Sequence, residues 1–423
     1  MMNEPKKENF FARMYKKDIT KSILASLISI AAGLIVGLIV MIVISCIYEG
    51  TTIGDAFSGI LIVLKGPFAS NKGSTIVTNI GQVIFYAVPL ILCGLSVAIA
   101  YKTGLFNIGA PGQYVMGTIG SLWVALSIQT TNRFTAVLVW ILAILVGMAF
   151  GMVWGMIPGF LKAYFNINEV IVCIMTNWIA ANLATWVFTG SKLISTENTK
   201  GAYLMKDLLN YTPKLGLDKI FNGSYIDMGI ILAILAAVVI YILLNKTTLG
   251  YELKACGSNK NASKYAGLNE KRNIILSMAI AGALAGLAAC LYYLNPGIEF
   301  KYASAYSALP SYGFNGIASA FLANCNPIGT VFASIFIRWI NMGGEYLTKV
   351  NFNRYVADIV VAVIIYLAGF TRFIYELLNR KKKGKNGVVT NVVDQRWNEN
   401  KHPDRAPQEV KLEEPKTEEK KEA

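Results

Sequence analysis

The stretch Ile23–Ile47, ILASLISIAAGLIVGLIVMIVISCI, decides the kind of fold and carries no charged residue. A helix needs about 20 mainly apolar residues to cross the hydrocarbon of a bilayer, and this run exceeds that. Lys6, Lys7, Arg13, Lys16, Lys17 and Lys21 precede it. A cleavable signal has an apolar region of about 7–15 residues closed by a small-residue site. This run is too long and no such site follows, so it reads as a first transmembrane helix with its N-terminus in the cytoplasm. The rest of the chain agrees. Of 423 residues, 54% are hydrophobic and 15% charged, with mean hydropathy +0.48. A soluble domain carries about 25% charged residues, so soluble, disordered and disulfide-rich classes are excluded. The expected fold is all-α, a polytopic bundle of transmembrane helices.

Working outward, further apolar segments fall at Ile76–Ala100, Ile108–Ile128, Thr135–Pro158, Val170–Thr189, Asp227–Leu244, Ile274–Leu294, Gly313–Ala323 (too short to span alone), Ile328–Tyr346 and Tyr355–Leu377. About ten segments return the C-terminus to the cytoplasm. Lys102, Lys162, the loop Lys246–Arg272 and Arg380–Lys383 then share the side of the N-terminus, as the positive-inside rule requires. That distribution accounts for the net charge of +14 better than nucleic-acid binding does. Three regions result: residues 1–22 as a cytoplasmic N-terminal segment, 23–378 as the transmembrane domain with a cytoplasmic loop at 245–273, and 379–423 as a cytoplasmic tail. The tail is polar and Lys/Glu-rich, with Pro403, Pro407 and Pro415, and is expected to stay disordered. Cys46, Cys93, Cys173, Cys256, Cys290 and Cys325 show no metal spacing, and the lone His402 lies in the tail. No metal site is expected.

Gly147, Gly151, Gly155 and Gly159 recur every fourth residue, as do Gly282 and Gly286. Such small faces let helix backbones approach closely in lipid. Two places interrupt the apolar pattern: Phe106-Asn107-Ile108-Gly109-Ala110, followed by Pro111-Gly112-Gln113, and Phe314-Asn315-Gly316-Ile317-Ala318. Each follows a long apolar segment, and those two segments run in opposite directions. Either the halves form an inverted repeat, whose paired breaks point to a substrate path, or the likeness marks only helix packing. Asn79, Gln82, Asn168, Glu169 and Asn177 are the sparse polar residues of other segments, and Arg338 and Asp358, on consecutive segments, could pair, in a structural role rather than a pathway one. No chain of Asp, Glu or His runs through the centre, so an ion relay is not supported.

The loop after Leu244 is longer than a helix hairpin needs. Asn259 or Asn261 is placed to cap a short helix from Ala262, with Gly267 ending it. With Gly104-Leu105-Phe106-Asn107-Ile108-Gly109-Ala110-Pro111-Gly112-Gln113, Asn168-Glu169-Val170-Ile171 with Asn177, Gly257–Gly267 with Lys271-Arg272-Asn273, and Gly313–Ala318 with Asn326-Pro327-Ile328-Gly329, four blocks now stand in order. The chain resembles a permease subunit of a bacterial ABC importer, in the branched-chain amino acid, simple sugar and nucleoside permease superfamily, nearest its nucleoside (BmpA-associated) branch. Pro111 stands where that family usually has Glu.

The resemblance implies a type II importer fold of about ten helices, in the bacterial plasma membrane, with both termini cytoplasmic. It implies three protein partners: an ABC ATPase, a second permease, often a different chain, and a lipid-anchored extracytoplasmic binding protein. The implied cargo is a nucleoside, purine nucleosides such as guanosine favoured; the alternatives are a ribose-type sugar, or an ion-coupled secondary transporter. Asn107, Gln113, Asn177 and Asn315 are then candidates for amide hydrogen bonds to the cargo, and Phe106, Trp178 and Phe314 for stacking on a base. Gly257, Ser258, Asn259, Asn261, Ala262, Tyr265, Ala266 and Gly267 are the candidate ATPase-coupling residues. The sequence itself adds that no P-loop is present: Gly384-Lys385-Asn386 fails on its last residue. The chain is therefore expected to be no enzyme and to hold no cofactor, with ATP and Mg used by a partner.

Overall fold

The computed structural model describes residues 18–379, apart from 49, 71, 129, 190, 192, 194–201, 204–210 and 302–308. The basic cluster Lys6–Lys17, the tail beyond Asn379 and His402 lie outside the described residues. In chain order the helices are α1 (Asp18–Ile47), α2 (Ile53–Lys65), α3 (Gly73–Lys102), α4 (Ala110–Ser127), α5 (Arg133–Phe165), α6 (Glu169–Phe188), a turn α7 (Leu217–Ile220), α8 (Gly229–Lys246), α9 (Thr248–Ser258), α10 (Lys260–Tyr265), α11 (Glu270–Tyr293), α12 (Ser311–Leu322), α13 (Pro327–Glu345), α14 (Arg354–Ala368) and α15 (Thr371–Asn379).

Six of these, α1, α3, α5, α6, α8 and α11, are long and apolar enough to cross a membrane unaided. The chain is thus a multi-pass helical membrane protein. The expected apolar segments all become helix, but the last is split at Gly369-Phe370 into α14 and α15. Helix α2 lies where only a connection was expected. Thr52 and Asp55 start it with a capping box, and Ala56, Gly59, Ile60 and Val63 bury one face. The only regular strand pairing among the described residues is a two-residue ladder, Ala202↔Lys301 and Tyr203↔Phe300. It ties the segment before α8 to the one after α11.

Burial separates centre from rim. In α3 and α11, 89% and 83% of the apolar stretch is covered by protein, against 22% in α1 and 28% in α8. The two central helices are antiparallel. Phe85 stacks on Tyr292 at one end, ring centres 5.9 Å apart. At the other end Asn273 reaches Cys256 of α9, and Gly104, just beyond α3, touches Gly257.

Each central helix pairs with the short helix of the opposite half. Along α11, Gly117 of α4 meets Gly286 and Ser121 meets Cys290 one turn on. Along α3, Gly316 of α12 meets Cys93 and Phe321 meets Tyr101 further on. The first turns of α4 and α12 abut: a methyl on Gly313 would fall 2.5 Å from the Pro111 nitrogen. This reciprocal exchange is what an inverted repeat predicts. The glycine stripe closes the core. A Cβ on Gly151 or Gly282 would collide with the other's backbone carbonyl, so α5 and α11 cross at backbone contact.

Candidate functional site

After α3 the chain turns at Gly104, whose φ of +77° suits glycine, and runs back into the bundle without helix. Asn107 reaches Ser96, six residues before α3 ends, so the return is about 9 Å deep. Backbone at that depth must be satisfied by protein, and amide side chains do it. Asn107 Nδ2 donates to Ser96 Oγ (3.0 Å) and Gln113 Oε1 (2.9 Å), and Gln113 Nε2 donates back to Asn107 Oδ1 (3.1 Å). From α6, Asn177 Oδ1 accepts the Gly112 N–H (2.8 Å) and its Nδ2 donates to the Ile108 carbonyl (3.0 Å). Asn107, Gln113 and Asn177 are all buried. Pro111 sits in the first turn of α4, where a missing N–H costs no helical bond.

The other expected path residues lie elsewhere. Phe106 is half-buried, 6.3 Å from the Phe321 ring. Trp178 is 46% exposed on the outer side of α6, apart from the amide cluster. Phe314 and Asn315 line a cleft of about 670 Å³ with Phe321, Asn341, Asp358 and Phe373. The second motif is not itself a break, because α12 runs unbroken through Phe314–Ala318. The interruption precedes it: Pro310, extended at the N-cap, holds helix formation back to Ser311.

Sequence reading missed an aromatic cluster between the halves. Tyr86 of α3, Tyr292 of α11 and Tyr312 of α12 converge, with centroids 6.2 Å apart for Tyr86–Tyr292 and 5.0 Å for Tyr292–Tyr312. Tyr114 of α4 stacks on Tyr312 at 6.2 Å. Arg338 of α13 does not make the pair with Asp358 that the sequence allowed. Its guanidinium lies 4.8 Å over the Tyr86 ring, while Asp358 lines the cleft. The tandem Tyr292-Tyr293 and the Gln82/Tyr86 spacing of four were the available signals.

On the face of the positive loops, Asn259 is the cap, accepting the Ala262 N–H at 3.0 Å, and α10 begins at Lys260. Gly267 (φ +78°) ends it. Its N–H donates to Lys264 and the Leu268 N–H to Ser263, a Schellman closure. Tyr265 projects from this helix 94% exposed. Just before it, Gly257 rests on the turn at Gly104; a Cβ there would crowd Gly104 N at 2.8 Å. Lys162–Glu169 (2.9 Å) joins α5 to α6.

At the opposite end, Asp227 precedes α8 and is buried. Asn295 Nδ2 donates to its Oδ2 (2.7 Å) and to the Tyr225 carbonyl (2.7 Å), and Gly229 N–H donates to its Oδ1 (2.8 Å). Burial raises this carboxyl from 3.8 to about 7, against the lowering effect of those hydrogen bonds and of Lys214.

Comparison with known proteins places these features in a family context. A family profile described as branched-chain amino acid transport system / permease component matches residues 79–369. The chain is 34% identical to the guanosine ABC transporter permease protein NupP of Bacillus subtilis, over 78% of this chain and 94% of that protein. It is 35% identical to the nucleoside ABC transporter permease protein NupB of Lactococcus lactis, over 75% and 85%. It is 28% identical to the glucose ABC transporter permease protein TsgB13 of Haloferax volcanii, over 62% and 68%. No solved structure matches the chain significantly.

Proposed function

The chain belongs to the family of branched-chain amino acid transport system permease components, and from that premise we propose that it is the membrane-spanning subunit of an ATP-driven importer of nucleosides, purine nucleosides such as guanosine first among them. The observation that carries the mechanism is the contact of Gly257 with Gly104. It links the exposed helix α10, through α9, to the non-helical return that holds Asn107. An ATPase dimer docked on α10 would move that return and, with it, the first turn of α4 against α12. Alternating access follows as a change in how the two exchanged halves meet.

ATP and Mg belong to the partner ATPase, and this chain supplies no catalytic group. A second permease, related but different, completes the path, and an extracytoplasmic lipoprotein delivers cargo. Both termini are cytoplasmic. The nucleoside assignment draws on the NupP and NupB likeness; the TsgB13 likeness favours a sugar as the second reading.

The test is uptake of radiolabelled guanosine and ribose in cells with and without this gene, with the partner ATPase intact or mutated at its P-loop Lys. The expected result is loss of guanosine uptake in both mutants. Loss of ribose uptake alone would move the cargo to sugars. Guanosine uptake that survives the ATPase mutation would overturn the ATP-driven mechanism in favour of an ion-coupled one.

A further inference from the structure

We propose that the ring cluster of Tyr86, Tyr292 and Tyr312, with the Arg338 guanidinium at its side, is the station where a purine nucleoside is held and chosen as the bundle opens; this rests on the importer reading above. Arg338 is the first reason. A guanidinium at membrane depth is costly and normally faces a carboxylate or a cargo. Here Glu345, two turns further along α13, is exposed and makes no ion pair with it, and Asp358 is in the cleft. The Arg338 Nε is buried with no hydrogen-bond partner. The Tyr86 ring face is its neighbour, and a cation–π contact is worth about 0.5–2 kcal/mol. That leaves the Nε–H donor unused.

The second reason is that other polar groups beside the ring cluster are also without partners. Gln82 lies one turn from Tyr86 on the same face of α3, and its Oε1 is buried and unpaired. Tyr114, fully buried against Tyr312, has an unpaired hydroxyl. Buried polar atoms are ordinarily satisfied. Three such atoms around one set of rings point to a missing polar ligand.

The third reason is shape and position. The rings are tilted, 47° for Tyr86–Tyr292 and 57° for Tyr292–Tyr312, and although Phe85 stacks on Tyr292 and Tyr114 on Tyr312, the second face of each ring is not stacked on another of the three. Flat rings with a few fixed polar groups suit a base. A guanidinium donates in pairs to a purine carrying a carbonyl at C6 and a bare N7, the pattern of guanosine and inosine. Adenosine carries an amino group at C6 and presents a donor there instead. The cluster draws on α3, α11, α12 and α13, so both halves contribute and its rings separate or close when they shift. By contrast, Asn107, Gln113 and Asn177 satisfy one another and the backbone, which leaves them as a brace for the return.

The experiment is uptake by the full importer in cells, with guanosine or adenosine each supplied at a concentration that saturates the binding protein. The ratio of rates then reports the bundle, not delivery. Arg338→Gln exchanges a guanosine reader for a side chain that pairs with adenine N6 and N7. It is expected to lower the guanosine-to-adenosine ratio at least tenfold. Tyr312→Leu should slow both nucleosides at least tenfold, while Tyr312→Phe keeps the stacking face and restores most of the rate. An unchanged ratio in Arg338→Gln at wild-type complex levels would overturn the proposal. If Arg338→Gln does not assemble, the Tyr312 pair decides: equal rates for Leu and Phe overturn it. A wild-type complex that carries no nucleoside defeats the importer reading instead, a different result from an unshifted ratio.

Discussion

Asn107 and Gln113 hold each other by two hydrogen bonds, Asn107 Nδ2 to Gln113 Oε1 at 2.9 Å and Gln113 Nε2 to Asn107 Oδ1 at 3.1 Å, with both side chains buried. Six residues apart, they clamp the corner where the returning chain becomes α4. Asn107→Leu strands both amide ends of Gln113 and frees Ser96. Each unsatisfied buried group costs about 1–3 kcal/mol. The expected outcome is a less stable protein, seen as a lower melting temperature in detergent and reduced membrane abundance. The double variant Asn107→Leu, Gln113→Leu should cost less than the sum of the singles, because no amide is left orphaned.

Much of this bundle could be read from spacing. The glycine stripe at Gly147, Gly151 and Gly155 meets the stripe at Gly282 and Gly286, because period-four small residues have one use in lipid. Asn259 and Gly267 marked α10 because caps are local chemistry. What failed to show was non-local. Nothing in the sequence says that Asn177 serves the backbone of Gly112, or that Arg338 lies over Tyr86 and not beside Asp358. Opposite charges on consecutive helices invite pairing, but helix rotation is set by packing elsewhere. Aromatic residues scattered over α3, α4, α11 and α12 become one cluster only once the halves exchange their short helices.

Gly282 and Gly151 make a sharper stability test. With backbone already in contact, Gly282→Leu forces α5 and α11 apart. Overpacking of a rigid core costs about 1–3 kcal/mol and often more. Gly282→Leu is expected to reduce folded protein in the membrane severalfold, whereas Leu at the exposed position Val153, on the facing helix α5, should change little. Size-exclusion profiles after heating the detergent-solubilised complex will separate the two.

Asp227 sets a pH dependence. Its carboxyl titrates near 7 in the folded protein and near 3.8 otherwise. Between those values the native state holds a proton that the unfolded state has released. Stability from this group is therefore full below 3.8 and is lost as pH rises toward 7. Asp227→Asn removes the titration while keeping an oxygen for the Gly229 N–H. Melting temperatures measured from pH 4.5 to 8 should show wild type losing ground to Asp227→Asn as pH rises. A constant difference would mean that the buried carboxyl does not titrate in this range.

The coupling route can be cut at two separable points. Tyr265 stands almost wholly exposed on α10, away from the core, so Tyr265→Ala should leave the bundle's melting temperature unchanged. It should weaken co-purification of the partner ATPase severalfold, because an exposed aromatic anchor is where binding energy concentrates. Gly257→Val acts one step inward. Its side chain would push against Lys102 and Gly104 and displace the turn that leads to Asn107. The ATPase should still co-purify, since α10 and its Asn259 cap are untouched. Uptake should fall at least tenfold, with ATP hydrolysis no longer responding to loaded binding protein. If Gly257→Val transports normally, motion at α10 reaches the centre by another route, from Cys256 of α9 to Asn273 at the start of α11, and substitution of Asn273 by Leu becomes the variant that uncouples.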